Sequence, residues 1–190
     1  MIQAFRNFIT RRTFAYKLRN KAMNMFSSFE NFSLIREKAE ASRKAENRPH
    51  EVLYFHKVDD PYSHLTVHYI DKFKEAYDVQ FKPILVGEEN PAALHEPTLY
   101  TDYCLEDVKR IASYYDVDFP GKSYPDKKLV DKANSILTAV TPDEFGSVAK
   151  TVSHALWSGD LAKLEELEIS YKSSEQEVIE TLKEGNEIRN

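Results

Sequence analysis

The residues best suited to chemistry lie in one short stretch of the chain, Asp60-Pro61-Tyr62-Ser63. The run at residues 52–55 just before it is short, β-branched and aromatic, which predicts a buried strand. Asp60 suits a helix N-cap, and Pro61 suits the first helical position. A strand that runs straight into a helix directs backbone N–H groups and the positive end of the helix dipole at one point. This turn is therefore the candidate site.

The elements around the turn predict a βαβ unit. After the turn, apolar residues recur at helical spacing and so share one face, which predicts a single amphipathic helix. That face consists of Tyr62, Leu65, Tyr69, Phe73 and Ala76. Residues 79–86 form a second apolar run, so strand, helix and strand suggest a right-handed unit with parallel strands. Pro83 cannot donate to a ladder, so the second strand should lie at an edge or be irregular there.

From Asp102 onward the pattern predicts helices. Capping boxes at Thr141 and Ser174 predict two helix starts, and Gly159 and Gly185 predict helix ends. Two apolar stripes precede these signals: Leu105, Val108, Ile111, Ala112 and Tyr115 in one segment, and Leu129, Val130, Ala133, Ile136, Leu137 and Val140 in the next.

Composition limits the functional classes. The chain has 190 residues, of which 42% are apolar and 30% are charged, as in ordinary globular proteins. Its one cysteine, Cys104, excludes an internal disulfide and a CxxC redox pair. Residues 1–50 hold 11 Lys and Arg against 4 Glu, whereas the remainder carries a net charge of −12. An acidic main domain binds phosphate backbones poorly, so no nucleic-acid partner is expected.

We predict that residues 1–49 form a basic, helical N-terminal extension and that residues 50–190 form the main domain. Residues 1–29 contain no acid and interleave Lys and Arg with Phe. This pattern suits a plain basic extension, and equally a mitochondrial transit peptide or a helix that lies on a membrane surface. Residues 34–48 predict a charged helical connector that ends before Pro49. No stretch is apolar enough to predict a membrane span.

Several other residues invite a chemical interpretation, and each has a plainer one. His64 and His68 have the i, i+4 spacing of a zinc pair, but no third ligand accompanies them, so we predict surface histidines and no metal site. His56 precedes the turn on the strand, where a histidine can face the site, but it is interpreted as a packed strand residue. Cys104 precedes two acidic residues, which predicts a buried and unreactive thiol. Trp157 ends an apolar helix face and is assigned to the core.

Four segments together resemble the DsbA-like thioredoxin superfamily. They are FHKVDDPYSHL at 55–65, FKPILVG at 81–87, DVKRIASYYDVDFP at 107–120 and HALWSGD at 154–160. Within that superfamily they are most similar to 2-hydroxychromene-2-carboxylate isomerases and kappa-class glutathione transferases. The resemblance implies an α/β fold, with a thioredoxin-like βαβ core and a large helical subdomain inserted at about residues 88–185.

The resemblance also implies a function: a glutathione-dependent isomerase or transferase, with glutathione as cofactor and a hydrophobic or aromatic electrophile as partner. In those families a Ser before Pro-Tyr-Ser steadies the thiolate, and in disulfide oxidoreductases that residue is Cys. Here it is Asp60. The candidate catalytic residues are Asp60 and Ser63, and the candidate glutathione-binding residues are Pro61, Tyr62, Ser63 and Asn90. A basic contact that the kappa class places further on is Tyr100 here.

Asp60 is the main departure from the family pattern. An ionised Asp60 would take the favourable position at the helix N-terminus and repel an incoming thiolate. The plain alternative is an N-cap without a chemical role. The sequence therefore leaves enzyme activity open, and a non-catalytic thioredoxin-like binding or structural module is the alternative function.

A second departure concerns the end of the chain. The resemblance implies a cis-proline segment, two strands and a helix after the inserted helices, but the sequence stops at Asn190 before them. A truncated product is the favoured interpretation; strands supplied by another chain, or a sheet covered by the extension, are the alternatives. We expect a cytoplasmic protein, with mitochondria as the alternative from the basic N-terminus. The substrate and the oligomeric state, including a homodimer, stay open.

Overall fold

The computed structural model describes residues 14–87 and 96–190, so Asn90 lies outside the described residues. The chain divides into two compact units, and the boundary falls between His50 and Glu51. In the first unit, α1 spans Phe14–Phe26 and α2 spans Phe29–Ala45. Helix α2 therefore begins earlier than the predicted connector, because the Ser28 side chain accepts a hydrogen bond from the Asn31 N–H and caps it there. Among the described helices, none is both long and apolar enough to cross a bilayer.

The second unit is a mixed α/β structure built on a small parallel sheet. Strand β1 spans Glu51–His56 and strand β2 spans Gln80–Leu85. They pair in parallel, with Glu51 opposite Gln80 and His56 opposite Leu85. The predicted parallel pairing is confirmed. Within the described residues the sheet has these two strands alone, so Pro83 lies on an edge strand as expected.

The connection between the strands consists of two short helices, α3 (Pro61–Val67) and α4 (Ile70–Ala76), and the prediction of one continuous helix is wrong. The His68 side chain explains the break. Its Nδ1–H donates to the His64 carbonyl at 2.8 Å, so the His68 backbone N–H bonds to the Leu65 carbonyl instead. A side chain that takes a backbone acceptor in this way interrupts the helical ladder.

The rest of the second unit is helical, as the sequence predicts. Its helices are α5 (Pro97–Tyr114), α6 (Lys127–Thr138), α7 (Phe145–Ser158), α8 (Leu161–Ser170) and α9 (Glu175–Arg189). The main core lies where α6, α7 and α8 pack against one face of the sheet and against α3 and α4, which connect the two strands. Its largest fully buried apolar side chains include Phe145, Ile136, Leu156 and Leu164. Trp157 is 4% exposed, which confirms its place in the core.

Some of the predicted helix boundaries are confirmed and others are wrong. The Ser174 capping box is present in full, and Gly159 ends α7 in the left-handed conformation with φ 73°. The start predicted at Thr141 is wrong, because α7 begins at Phe145 after a turn. The Thr141 hydroxyl donates to the Glu144 carboxylate at 2.7 Å and so closes that turn instead.

Gly185 is not a helix stop, contrary to the prediction, but a close-packing position inside α9. A Cβ at Gly185 would lie 1.9 Å from the backbone oxygen of Leu85. Only glycine lets a helix approach the strand this closely. The Asn186 side chain adds a bond, since its Oδ1 accepts from the Gly87 N–H at 3.2 Å. The C-terminal helix is therefore fixed against the end of β2.

Candidate functional site

The turn between β1 and α3 is held by Asp60. Its backbone N–H donates to the Lys57 carbonyl at 3.1 Å, which closes the turn that leaves the strand. Its side chain accepts from the Ser63 N–H at 2.7 Å, so Asp60 is the N-cap of α3 and Pro61 fills the first helical position. The structure thus has the strand, cap and helix start that the sequence predicts at this point.

The electrostatics of Asp60 reflect two opposing effects. Burial raises the pKa of its carboxyl group, while hydrogen bonds from Ser63 and the Tyr62 N–H lower it; burial is the larger effect. The carboxyl group therefore uses the backbone donors that a bound anion would otherwise find at the start of α3. Burial therefore favours the protonated form of this carboxyl group more than in an exposed aspartate.

A cleft of about 570 Å³ opens at this turn. The ends of both strands, the start of α3, the first turns of α5, the loop before α6 and the last residue of α9 all contribute to it. The lining residues are Phe55, Lys57, Asp59, Asp60, Pro61, Ser63, Val86, Pro97, Tyr100, Thr101, Cys104, Tyr124 and Arg189. A cleft of this size holds a molecule of tripeptide or drug size.

The cleft walls combine aromatic and charged groups. Phe55, Tyr100 and Tyr124 provide aromatic surface, which favours an apolar or aromatic ligand group. Lys57 forms an ion pair with Asp59 at 3.0 Å, and Arg189 adds a second cation to the wall. Asp59 and Asp60 add two carboxylates to the same wall, so its charged groups suit a ligand that carries both carboxylates and an ammonium group, as peptides do.

Tyrosine hydroxyl groups tie α5 to its neighbours beside the cleft. The Tyr62 hydroxyl donates to the Asp107 carboxylate at 2.8 Å, and the Tyr124 hydroxyl donates to the Thr101 carbonyl at 3.3 Å. Burial raises the pKa of both phenols, and Cys104 adds to the effect in each case. The Cys104 side chain is 3% exposed, as predicted for a buried thiol. These bonds give the cleft a fixed wall.

The structure brings together three of the predicted site residues. Asp60, Pro61 and Ser63 line the cleft. Tyr62 instead uses its hydroxyl on Asp107 behind the wall, and Asn90 lies outside the described residues. Tyr100, the departure from the kappa-class basic contact, lines the cleft too.

Sequence reasoning missed Tyr124, Arg189 and the position of Cys104 in the wall. They lie far from Asp60 along the chain, so no local sequence pattern links them to it. The packing of α5, the loop before α6 and α9 brings them to the turn.

His64 is not a surface residue, and that prediction is wrong: its side chain is 0% exposed. Its Nε2 lies 2.8 Å from the Asp118 carbonyl and its Nδ1 lies 2.9 Å from the Ser153 hydroxyl. A carbonyl only accepts, so Nε2 carries the proton and Nδ1 accepts from Ser153. The neutral His64 ring therefore links α3 to the loop before α6 through Asp118 and to α7 through Ser153. Burial lowers the pKa of His64 to about 4.

His56 is packed at the end of β1, as predicted. Its side chain is 1% exposed, and its Nδ1 lies 3.0 Å from the Tyr54 hydroxyl. Its Nε2 has no hydrogen-bond partner among the described residues. Burial lowers the pKa of His56 to about 3, so it is neutral at physiological pH and does not line the cleft.

Comparison with known proteins adds no assignment. No family model matches the chain, and no curated protein matches it. The functional assignment consequently depends on the residues and geometry of the cleft.

Proposed function

We propose that this chain is a thioredoxin-fold relative of the glutathione-dependent isomerases and kappa-class transferases, and that its cleft binds a small thiol of the glutathione type. The observation that carries the proposal is the cleft at the β1–α3 turn, which Asp60 and Ser63 line. The parallel βαβ unit and the return of α9 to β2 support a thioredoxin-like core.

The cleft chemistry supports a ligand with a carboxylate-bearing end and an apolar end. Arg189 and the Lys57–Asp59 pair suit the charged ends of a thiol peptide, which carry both signs, and the aromatic wall suits a hydrophobic electrophile. In this proposal the ligand binds as the neutral thiol, and its S–H donates to the Asp60 carboxylate. When the sulfur adds to a carbon–carbon double bond conjugated to a carbonyl group, the S–H bond breaks and Asp60 accepts the proton as general base. The π electrons move to the carbonyl oxygen of the electrophile, and the proton returns from Asp60 to the resulting enolate.

A second candidate function is a binding module without catalysis. The bond from the Ser63 N–H to Asp60 favours it, because a donor that would stabilise a thiolate is already used. A thiolate beside an ionised Asp60 would be destabilised by about 1 kcal/mol in water and by several more where water is excluded. The two candidates share the binding site and differ in whether Asp60 permits chemistry.

Asp60→Ser is expected to tighten glutathione binding at least about tenfold at alkaline pH, because it removes the charge that opposes the thiolate. A serine hydroxyl keeps the N-cap, so the fold should be little changed. Isothermal titration calorimetry with glutathione on the wild type and the variant measures this. The matched control is Asp126→Ser, which makes the same change at the N-cap of α6, outside the cleft, and should leave glutathione binding unchanged.

The outcomes separate the candidates. Binding to the wild type, together with conjugation of an aromatic electrophile that Asp60→Asn abolishes, supports a catalytic Asp60. Binding without conjugation in the wild type, with conjugation gained in Asp60→Ser, supports the non-catalytic module. No heat of binding with either protein at millimolar glutathione would refute the proposal.

A further inference from the structure

Helix α1 leaves its apolar side chains exposed. Leu18 is 56% exposed, Met25 is 63% exposed and Phe26 is 67% exposed. Leu18, Ala22 and Met25 are four and three residues apart, so they share one face of the helix, and Phe26 lies beside them. None of the described side chains of α1 is buried. The apolar face of an amphipathic helix is normally buried against another part of the protein. The exposed apolar face of α1 therefore suits a partner outside its own unit.

The opposite face of α1 is polar and basic. It carries Asn20, Asn24, Lys17 and Lys21, which lie next to one another around the helix axis. The sequence has no acidic residue before Glu30, so nothing in the first 29 residues offsets these cations. An apolar face bordered by uncompensated lysines is the pattern of a helix that lies in a membrane interface.

We propose that α1 binds the surface of a bilayer containing anionic lipids. Leu18, Met25 and Phe26 enter the boundary between headgroups and acyl chains, while Lys17 and Lys21 stay at the level of the lipid phosphates. The charge pattern selects this occupant. A helix partner in a coiled coil is recognised by charges of both signs beside its apolar seam, whereas α1 presents cations alone.

Cosedimentation of the full-length chain with phosphatidylcholine vesicles, with and without phosphatidylserine, tests this proposal. We expect binding to the anionic vesicles and much weaker binding to the neutral ones, with a marked decrease when salt is added. Lys17→Gln and Lys21→Gln should each weaken binding about fivefold. Leu18→Asn should weaken it about tenfold, because an apolar side chain no longer enters the lipid.

Two variants in the second unit serve as matched controls. Ile169→Asn removes a side chain that is 86% exposed, and Lys122→Gln removes an exposed cation. Neither should change vesicle binding. The lysine variants keep the apolar face, so they test the charge contribution even if Leu18→Asn unfolds α1.

Three results would overturn the proposal. The first is no cosedimentation at low salt, and the second is equal binding to neutral and anionic vesicles. The third is self-association in analytical ultracentrifugation that Leu18→Asn abolishes while vesicles are not bound, which would assign the face to contact between copies of the chain.

Discussion

Gly185→Ala is expected to lower the free energy of unfolding by about 3 kcal/mol, although alanine normally stabilises a helix by about 1 kcal/mol relative to glycine. The new Cβ would lie 1.9 Å from the Leu85 backbone oxygen. Neither the Cβ nor the Leu85 backbone oxygen can rotate away through a side-chain torsion, so α9 must move away from β2 or the strand must bend. Urea denaturation monitored by circular dichroism measures the change, and Gly185→Val should be more damaging still.

Gly87→Ala is the matched control for this experiment. Its Cβ would meet the Asn186 amide nitrogen at 3.5 Å, which is ordinary contact. We expect a change within about 1 kcal/mol of the wild type. If Gly185→Ala were as stable as the wild type, α9 could not lie against β2 as described, and its contribution to the cleft would be lost.

Acidification should unfold the second unit well before its carboxylates are fully protonated. Two buried histidines stay neutral in the native state, with the pKa of His64 lowered to about 4 and that of His56 to about 3. In the unfolded chain each titrates near pH 6.5. Below that pH the unfolded state binds a proton at each of these histidines, whereas the native state does not. The two buried rings therefore contribute fully to stability above about pH 6.5, and this contribution decreases as the pH falls towards 4. The loss is about 3 kcal/mol for each histidine.

The free energy of unfolding, measured between pH 7 and pH 4.5, tests this account. His64→Gln should be less stable at neutral pH, because glutamine replaces the bonds to Asp118 and Ser153 imperfectly, but its stability should fall less steeply on acidification. His56→Phe should likewise reduce the slope. A wild-type stability that is constant from pH 6.5 to pH 5 would contradict the buried neutral state of both rings.

The elements that the sequence predicted well depend on local signals. The apolar run at residues 52–55, the cap at Asp60 and the proline after it specify a strand that enters a helix through interactions within a few residues. The capping box at Ser174 is equally local. Such contacts form in the same way whatever the rest of the chain does, so pattern and propensity are sufficient to find them.

The features that the sequence did not reveal depend on distant contacts. Gly185 resembles a helix stop by type, and only the approach of β2 shows why glycine is needed there. His64 lies at a position that helical periodicity marks as polar, but Ser153 and the Asp118 carbonyl satisfy its ring and allow burial. Tyr124 and Arg189 reach the cleft through packing between elements far apart in the chain. The position of the cleft at the β1–α3 turn was therefore predictable, and most of the residues in its wall were not.

The central claim is that a small thiol binds in the cleft at the β1–α3 turn. The most direct measurement is the change in backbone amide chemical shifts of the full-length chain when glutathione is added. We predict shifts that saturate at Asp60, Ser63, Cys104 and Tyr124. Saturating shifts confined to the separate surface pocket between His68 and Lys163, or no shifts at millimolar glutathione, would contradict the claim.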